Sequence, residues 1–149
     1  LCWASRLKST HFPYYDEVAG EFTNLVDMDP WLINPSFTAI DQIDFMNYEG
    51  LDILEQETQK ILENTAQKYA EYGINQTPFA VIKADNGTYG MSVMMVRDAS
   101  ELKSLNRKQR KKMAAIKGGQ SVRRVLIQEG VYTFEAMQQG EAAEPVVYM

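Results

Sequence analysis

The apolar residues near the start of the chain recur at helical spacing. Pro13 suits the first turn of a helix, and the two prolines that follow Asp27 break any regular element there. We therefore predict one helix between Pro13 and Asp27, with one apolar face. That face carries Tyr14, Val18, Phe22 and Leu25.

Two more helices are predicted farther along the chain. Asn34-Pro35 forms an N-cap and first-turn pair, so the chain can turn helical through residues 40–46, with Gly50 as the break. The clearest helix follows, because its stripe residues repeat by threes and fours up to Gly73, which suits a C-terminal cap. Its stripe consists of Leu51, Leu54, Thr58, Ile61, Leu62, Thr65, Tyr69 and Tyr72.

The pattern changes to that of strands after Pro78. The stretches FAVIKA, residues 79–84, and TYGMSVMMV, residues 88–96, are rich in β-branched and aromatic residues. Asp85-Asn86-Gly87 lies between them and tolerates positive φ, so the two stretches are predicted to form a β-hairpin. The hairpin methionines are interpreted as core residues: Met91, Met94 and Met95.

A basic helix is predicted to follow the hairpin. Asp98 and Glu101 have the spacing of a capping box, so the helix should begin at Ala99 and end at Gly118-Gly119. The next stretch, SVRRVLIQ at residues 121–128, fits a strand by its β-branched content and a short helix by its spacing. Both interpretations of this stretch stay open.

These elements indicate an α+β fold with three to four helices and one β-hairpin or small antiparallel sheet. At 149 residues the chain has the length of one domain. We expect an irregular N-terminal arm over residues 1–12, a single α+β domain over residues 13–139 and a C-terminal tail over residues 140–149.

Positive charge is concentrated in the segment that holds the basic helix. Residues 97–124 carry ten of the fifteen Lys and Arg side chains and only two carboxylates, which gives this segment a net charge of +8. The rest of the chain has five basic and eighteen acidic residues and a net charge of −13, so the whole chain has −5. A charge split of this kind makes the molecule strongly dipolar.

Two functions fit this charge split. The leading hypothesis is a non-enzymatic binding protein that contacts nucleic acid, or another polyanion, through residues 103–124, because Lys and Arg bind phosphates by counterion release. The alternative is a structural or assembly subunit of a larger particle or protein complex, which uses its aromatic N-terminal arm and its charge dipole and binds an acidic protein surface or a second copy of the chain. The predicted contact residues are Lys103, Arg107, Lys108, Arg110, Lys111, Lys112, Lys117, Arg123 and Arg124.

Two further interpretations of the basic segment stay open beside these. It can be a solvated face with no partner, or it can dock on the acidic surface of the same chain around Glu55, Glu57 and Glu63. An enzyme of unrecognised type is the third and least favoured class of function.

Aromatic side chains are dense in the first 31 residues. Aromatic residues dominate the buried cores of interfaces, so these can bind a partner, and they can also fold back as a lid over the helices. The five predicted contact aromatics are Trp3, Phe12, Tyr14, Tyr15 and Trp31.

Residues that would indicate catalysis or a metal site are few. His11 is the only histidine and Cys2 the only cysteine, so neither a multi-histidine nor a multi-thiolate metal site can form. The chain has no GxxxxGKS or GxGxxG phosphate-binding loop. We therefore predict no metal, no cofactor and no catalytic residue. The lone cysteine favours a reducing compartment such as the cytoplasm, or the inside of a particle, and no apolar window is long enough for a membrane helix.

Overall fold

The computed structural model describes residues 7–87, 90–115 and 119–137. In this part of the chain, helices and one antiparallel sheet form an α+β fold, which confirms the predicted fold class. The helices are α1 (Lys8–Val26), α2 (Leu51–Glu71) and α3 (Arg107–Ala114), with short 3-10 helices at Pro30–Leu32 and Ala99–Ser104. The strands are β1 (Phe37–Asp41), β2 (Ala80–Ala84), β3 (Val93–Val96) and β4 (Arg124–Glu129). None of the described helices has the length and apolarity that crossing a membrane requires.

The sheet is built around β4, the last of these strands along the chain. The strand order is β1-β4-β2-β3, so β4 pairs with β1 on one side and with β2 on the other. Ile127 of β4 lies opposite both Thr38 and Ile82. Most of β4 is buried, as expected of a central strand rich in apolar residues. The stretch SVRRVLIQ, for which a strand and a short helix both stayed open, therefore contributes a strand.

The predicted stripe of α2 packs against the sheet in the hydrophobic core. Leu54 and Ile61 belong to one buried cluster with Ile82 and Ile127 of the sheet. The hydroxyl of Thr58, in the same stripe, donates to the Leu54 carbonyl oxygen at 2.7 Å, so its burial leaves no hydroxyl unpaired. The buried residues of α2 are Leu51, Leu54, Thr58, Ile61, Leu62, Thr65 and Tyr69.

The first helix begins earlier than its sequence suggests. α1 starts at Lys8, so residues 8–12 are helical rather than an irregular arm, and Pro13 lies inside the helix. The start of α1 is capped by a residue distant in sequence, because the Ser9 N–H donates to Asp85 Oδ1 at 2.7 Å. A cap of this kind is invisible to a local sequence pattern.

The apolar face of α1 points away from the sheet. Ala19 and Thr23 are the buried residues of this helix, and Phe12 packs on Phe37 of β1 with 5.2 Å between ring centroids. The exposed large apolar residues of α1 are Tyr14, Tyr15, Val18, Phe22, Leu25 and Val26.

The helix predicted after Asn34-Pro35 is wrong. Residues 37–41 form β1 instead, because pairing with β4 satisfies a backbone segment whose Phe, Thr and Ile residues favour a strand. Asp44 then accepts two backbone N–H bonds and closes a turn. Gly50 has a φ of +73° and immediately precedes α2, so it begins a helix rather than ending one.

The single basic helix predicted over residues 99–117 is wrong in its extent, because the structure has two shorter pieces there. The capping box of Asp98 and Glu101 is confirmed, and the Asp98 N–H donates to Glu101 Oε1 at 3.2 Å. A second capping box, at Asn106 and Gln109, starts α3 afresh. The cations of this segment therefore do not share one helical face.

The predicted hairpin of β2 and β3 is confirmed, but its loop is longer than Asp85-Asn86-Gly87 alone. Strand pairing ends at Lys83 and Val93. Ser92 is buried with a φ of +52°, and its hydroxyl donates to the Ala115 carbonyl oxygen at 2.7 Å. This bond ties the hairpin loop to the end of α3.

Some sequence predictions concern residues outside the described ranges. They involve the start of the predicted arm, the start of the second hairpin strand, the end of the basic helix and the C-terminal tail. These residues are 1–6 with Cys2 and Trp3, Thr88 and Tyr89, Ile116 to Gly118 with Lys117, and 140–149.

A close contact after β4 generates a stability test. A Cβ atom at Gly130 would collide with the ring of Phe79, whose carbonyl oxygen accepts the Gly130 N–H at 2.7 Å. Gly130→Ala is expected to lower the free energy of unfolding by about 1–3 kcal/mol, as overpacking usually does. Urea denaturation measures this loss.

Gly20→Ala in α1 is the matched control for this substitution. A Cβ atom at Gly20 meets nothing within 4 Å, so alanine there is expected to stabilise the helix by up to about 1 kcal/mol. If both variants changed stability in the same direction, the contact with Phe79 would not be the cause.

Candidate active site

The sheet face opposite α2 carries a lysine among apolar residues. Along β2, Ile82 is fully buried on the α2 side, so strand alternation turns Val81 and Lys83 to the other face. The register places Gln128 of β4 opposite Val81 on that face. Lys83 is half-buried there, and its Nζ donates to Gln128 Oε1 at 2.6 Å. The neighbouring strand thus fixes the direction of the lysine side chain.

Lys83 has no carboxylate partner in the described part of the chain, where no ion pair within 4.0 Å involves it. Burial lowers the pKa of Lys83, because the charged ammonium loses hydration without gaining an opposite charge. An anion placed against Nζ would compensate that loss. A half-buried lysine of this kind therefore marks a candidate anion site.

A second lysine lies close to the first. Burial lowers the pKa of Lys8, the carboxylate of Asp85 raises it in part, and the charge of Lys83 lowers it further. Lys8 Nζ donates to three carbonyl oxygens at the end of β2 and in the hairpin turn, at 2.7–3.1 Å. Lys8 thus orders the turn beside Lys83 and adds positive potential to the same region.

The buried carboxylate of Asp85 holds the elements around the two lysines together. Its Oδ1 accepts the Ser9 N–H at 2.7 Å and its Oδ2 accepts the Ser9 hydroxyl at 2.6 Å. Arg124 Nη1 lies 3.8 Å from Oδ2, and the same guanidinium makes a two-pronged contact with Asp41. The bond to Asp41 is the main cause of the raised pKa of Arg124. The turn, the start of α1 and the sheet are therefore locked in one arrangement.

A polar pocket of about 600 Å³ lies between α1, the Pro30–Leu32 turn and α2. Lys68 Nζ is 2.6 Å from Asp29 Oδ2, which also accepts the Tyr72 hydroxyl at 2.7 Å. The bond from Lys68 is the main cause of a pKa of about 2 for Asp29, and the same contact raises the pKa of Lys68. Asp29, Lys68 and Glu71 of this pocket are thus paired with each other, and Asp16 accepts a hydrogen bond from the Asn34 amide.

A more apolar pocket of about 410 Å³ adjoins the end of β4 and is lined by Tyr69, Tyr132 and Trp31. Glu129 is buried at its edge and accepts the Trp31 indole N–H at 2.9 Å and the Ser36 backbone N–H at 3.1 Å. These bonds position the turn before β1. The Lys83 region differs from both pockets, because a half-buried lysine lacks a described carboxylate partner there.

Several predicted contact cations have partners within the chain. Lys103 Nζ lies 2.5 Å from Glu55 Oε2, so docking on the acidic surface near Glu55 is confirmed for this lysine. The Arg110 guanidinium lies over the ring of Tyr48, 4.5 Å from its centroid. Arg123 and Arg124 pair with Asp44 and Asp41, respectively.

Four of the five cations of α3 are arranged differently. They are exposed, and no ion pair within the described ranges involves them. Lys103 lies in the preceding 3-10 helix and Arg124 in β4, so these cations do not all belong to one helix. These residues are Arg107, Lys108, Lys111 and Lys112, while Lys117 lies outside the described ranges.

The predicted contact aromatics divide between packing and exposure. Phe12 packs on Phe37, and Trp31 stacks on Tyr72 with 5.2 Å between centroids. These two side chains pack on other residues of the same chain. Tyr14 and Tyr15 are exposed on α1, and Trp3 lies outside the described ranges.

Sequence reasoning missed Lys83 and its partners. The available signal was a lysine inside the apolar stretch FAVIKA, directly before a turn that contains Gly87 and Gly90. Alternation alone would have turned this lysine away from the core. Asp85 and Gln128 gave no such signal, because their roles depend on contacts with residues far away in sequence.

Comparisons with known proteins identify relatives of the whole chain. A family model described as "GshA: Glutamate-cysteine ligase" matches residues 1–149. The crystal structure of a "Putative gamma-glutamylcysteine synthetase" from Methylobacillus flagellatus KT is 49% identical to this chain, with a TM-score of 0.81. The match covers 90% of this chain and 32% of that protein, so this chain spans about a third of the length of its relative. No curated protein matches the chain.

These relatives overturn the functions predicted from charge. Both the nucleic-acid or polyanion binder and the structural or assembly subunit are wrong, because the family match and the solved relative point to an enzyme. The error has a physical reason. A count of cations along the sequence does not show which of them are neutralised by distant carboxylates, as Lys103 and Arg124 are. That the nine basic and five aromatic residues form a binding site stays a prediction.

The Asp29–Lys68 contact generates a pH test of the polar pocket. In the unfolded chain an Asp carboxyl titrates near pH 4, whereas the folded pKa of Asp29 is about 2. The contribution of this carboxylate to stability is therefore complete above about pH 4 and is lost as the pH falls toward 2.

A double-mutant cycle of Asp29→Asn and Lys68→Met, followed by urea denaturation, measures the coupling between the two side chains. We expect a favourable coupling at pH 5 that disappears near pH 2. Coupling of equal size at both pH values would mean that the carboxylate charge is not its source.

Proposed function

The chain belongs to the glutamate–cysteine ligase family, and from this premise we propose that it contributes the phosphate-binding part of a ligase that joins glutamate to cysteine through the γ-carboxylate. The observation that carries the proposal is Lys83, a half-buried ammonium without a described carboxylate partner, held by Gln128 beside an ordered turn. The phosphates belong to a nucleoside triphosphate, the co-substrate that the chemistry of ligation requires.

The need for a nucleotide follows from the reaction. A carboxylate is a poor electrophile, so an oxygen of the glutamate γ-carboxylate first attacks the terminal phosphorus and the bond to the departing nucleoside diphosphate breaks. The cysteine amine then attacks the acyl carbon, the bond to phosphate breaks, and the amine loses a proton. The products are the amide, a nucleoside diphosphate and inorganic phosphate.

Lys83 suits the electrostatic part of this reaction. Phosphoryl transfer depends mainly on positioning and on cations that neutralise the phosphate oxygens. A lysine whose direction is fixed by Gln128 loses little side-chain freedom on binding a phosphate, and its partial burial strengthens the attraction. Lys8 has the different role of a positioning residue, because its Nζ is occupied by the carbonyl oxygens of the turn.

Removal of the Lys83 charge tests the proposal. Lys83→Met is expected to weaken the binding of ATP by about tenfold or more, because a charge-assisted hydrogen bond is lost. Isothermal titration calorimetry with ATP measures the affinity. Lys60→Met is the matched control, since Lys60 is exposed and paired with Glu57. The affinity of this variant for ATP should equal that of the wild type. No ATP binding by the wild type, or equal binding by both variants, would refute the proposal.

The pH dependence of ATP binding provides a second test. Burial lowers the pKa of Lys83, so this side chain loses its charge at a lower pH than an ordinary lysine, whose pKa is about 10.4. The triphosphate is already fully ionised above about pH 8. As the pH rises, we therefore expect the affinity of the wild type to decline at a lower pH than the titration of an ordinary lysine would allow, and to stay level over the same range in Lys83→Met. A decline of the same size in both proteins would assign it to another group.

A further inference from the structure

The outward face of α1 is an apolar stripe of unusual extent. Val18 is 63% exposed, Phe22 50% and Leu25 86%, and Tyr14 continues the stripe toward the start of the helix at 66%. These positions lie four, four and three residues apart, so they form one continuous face. Large apolar side chains in one contiguous row on a surface usually mark a contact with another polypeptide.

The attachment of α1 leaves this face without a packing role in the described structure. The helix is held through its first turn, at Ser9 and Lys8, and through Phe12, Ala19 and Thr23 on its inner side. None of these contacts uses the outward stripe. Helices are generally stabilised by burying their apolar face, and here the larger apolar face is the exposed one.

The length of the relative indicates what covers this stripe. About two thirds of the solved Methylobacillus flagellatus protein lies outside the match with this chain. We propose that the α1 stripe docks on the remainder of the ligase, that is, on polypeptide corresponding to the unmatched part of this relative.

Charge adds a requirement for the docking partner. Glu17 and Glu21 are exposed and immediately precede Val18 and Phe22, so one edge of the stripe is acidic. The surface that covers it should be apolar in its centre and carry Lys or Arg along the facing edge. The inference rests on the family match and the length of the relative, and it stands whether or not Lys83 binds nucleotide.

The test compares one double substitution in two contexts. Val18→Ser with Phe22→Ser is introduced into this chain, and serine is placed at the two matching positions of the full-length relative. Thermal unfolding is then followed for each protein. In this chain the midpoint should change by no more than about 2 °C, because exposed substitutions cost little. In the full-length relative it should fall by about 5 °C or more, because the proposal places these two positions in a buried contact.

Ile53→Ser and its counterpart in the relative serve as the matched control, because Ile53 is an exposed aliphatic residue on α2, outside the stripe. Serine at this position should leave both midpoints unchanged. Light scattering of this chain tests whether a second copy of the chain binds to the stripe instead.

Three results would overturn the proposal. An equal loss in both contexts would mean that the stripe is already packed within this chain, and an unchanged midpoint in the full-length relative would mean that the stripe stays exposed there. A dimer of this chain that the serine pair dissociates would assign the face to self-association instead.

Discussion

Backbone pairing on both edges of β4 is the constraint on which the described structure depends. This strand joins β1, which lies more than eighty residues earlier, to the β2–β3 hairpin, and among the described strands it alone pairs with both. Its polar side chains then reach separate networks: Arg124 contacts Asp41 and Asp85, Gln128 holds Lys83, and Glu129 holds Trp31. The arrangement of the site is therefore a consequence of strand register.

The two faces of the sheet also differ, because strand pairing directs alternate side chains to opposite faces. On the α2 side, apolar residues of four strands, α2, the Ala99–Ser104 helix and α3 form one buried core, and the buried threonine hydroxyls of α2 bond to the helix backbone. On the other side, α1 is fastened at its first turn by a buried carboxylate, and a lysine remains beside it without a described carboxylate partner. Catalytic and binding groups are commonly placed where packing is left incomplete in this way.

The charge split is present in the sequence, but it does not show which charged side chains are paired and which are buried. Lys103, Arg123 and Arg124 are neutralised by carboxylates brought close by folding, whereas Lys83 and Lys8, outside the basic segment, have pKa values lowered by burial. Our proposal therefore rests on a lysine inside an apolar strand rather than on the ten cations spread over residues 97–124. The position of Lys83 within an apolar stretch can be read from the sequence. Its partner Gln128 cannot, because only the register of β2 with β4 brings the two residues together.

By itself, the sequence determined the α+β class, the length and buried stripe of α2, the existence of the hairpin and the capping box at Asp98, because each depends on local spacing and local hydrogen bonds. Only the tertiary structure decided that residues 37–41 are a strand, that β4 is the central one, and that α1 turns its large apolar residues outward. Those outcomes depend on pairing and packing between segments far apart in the chain. The Lys83 site belongs to this second group, since its geometry exists only once three such segments meet.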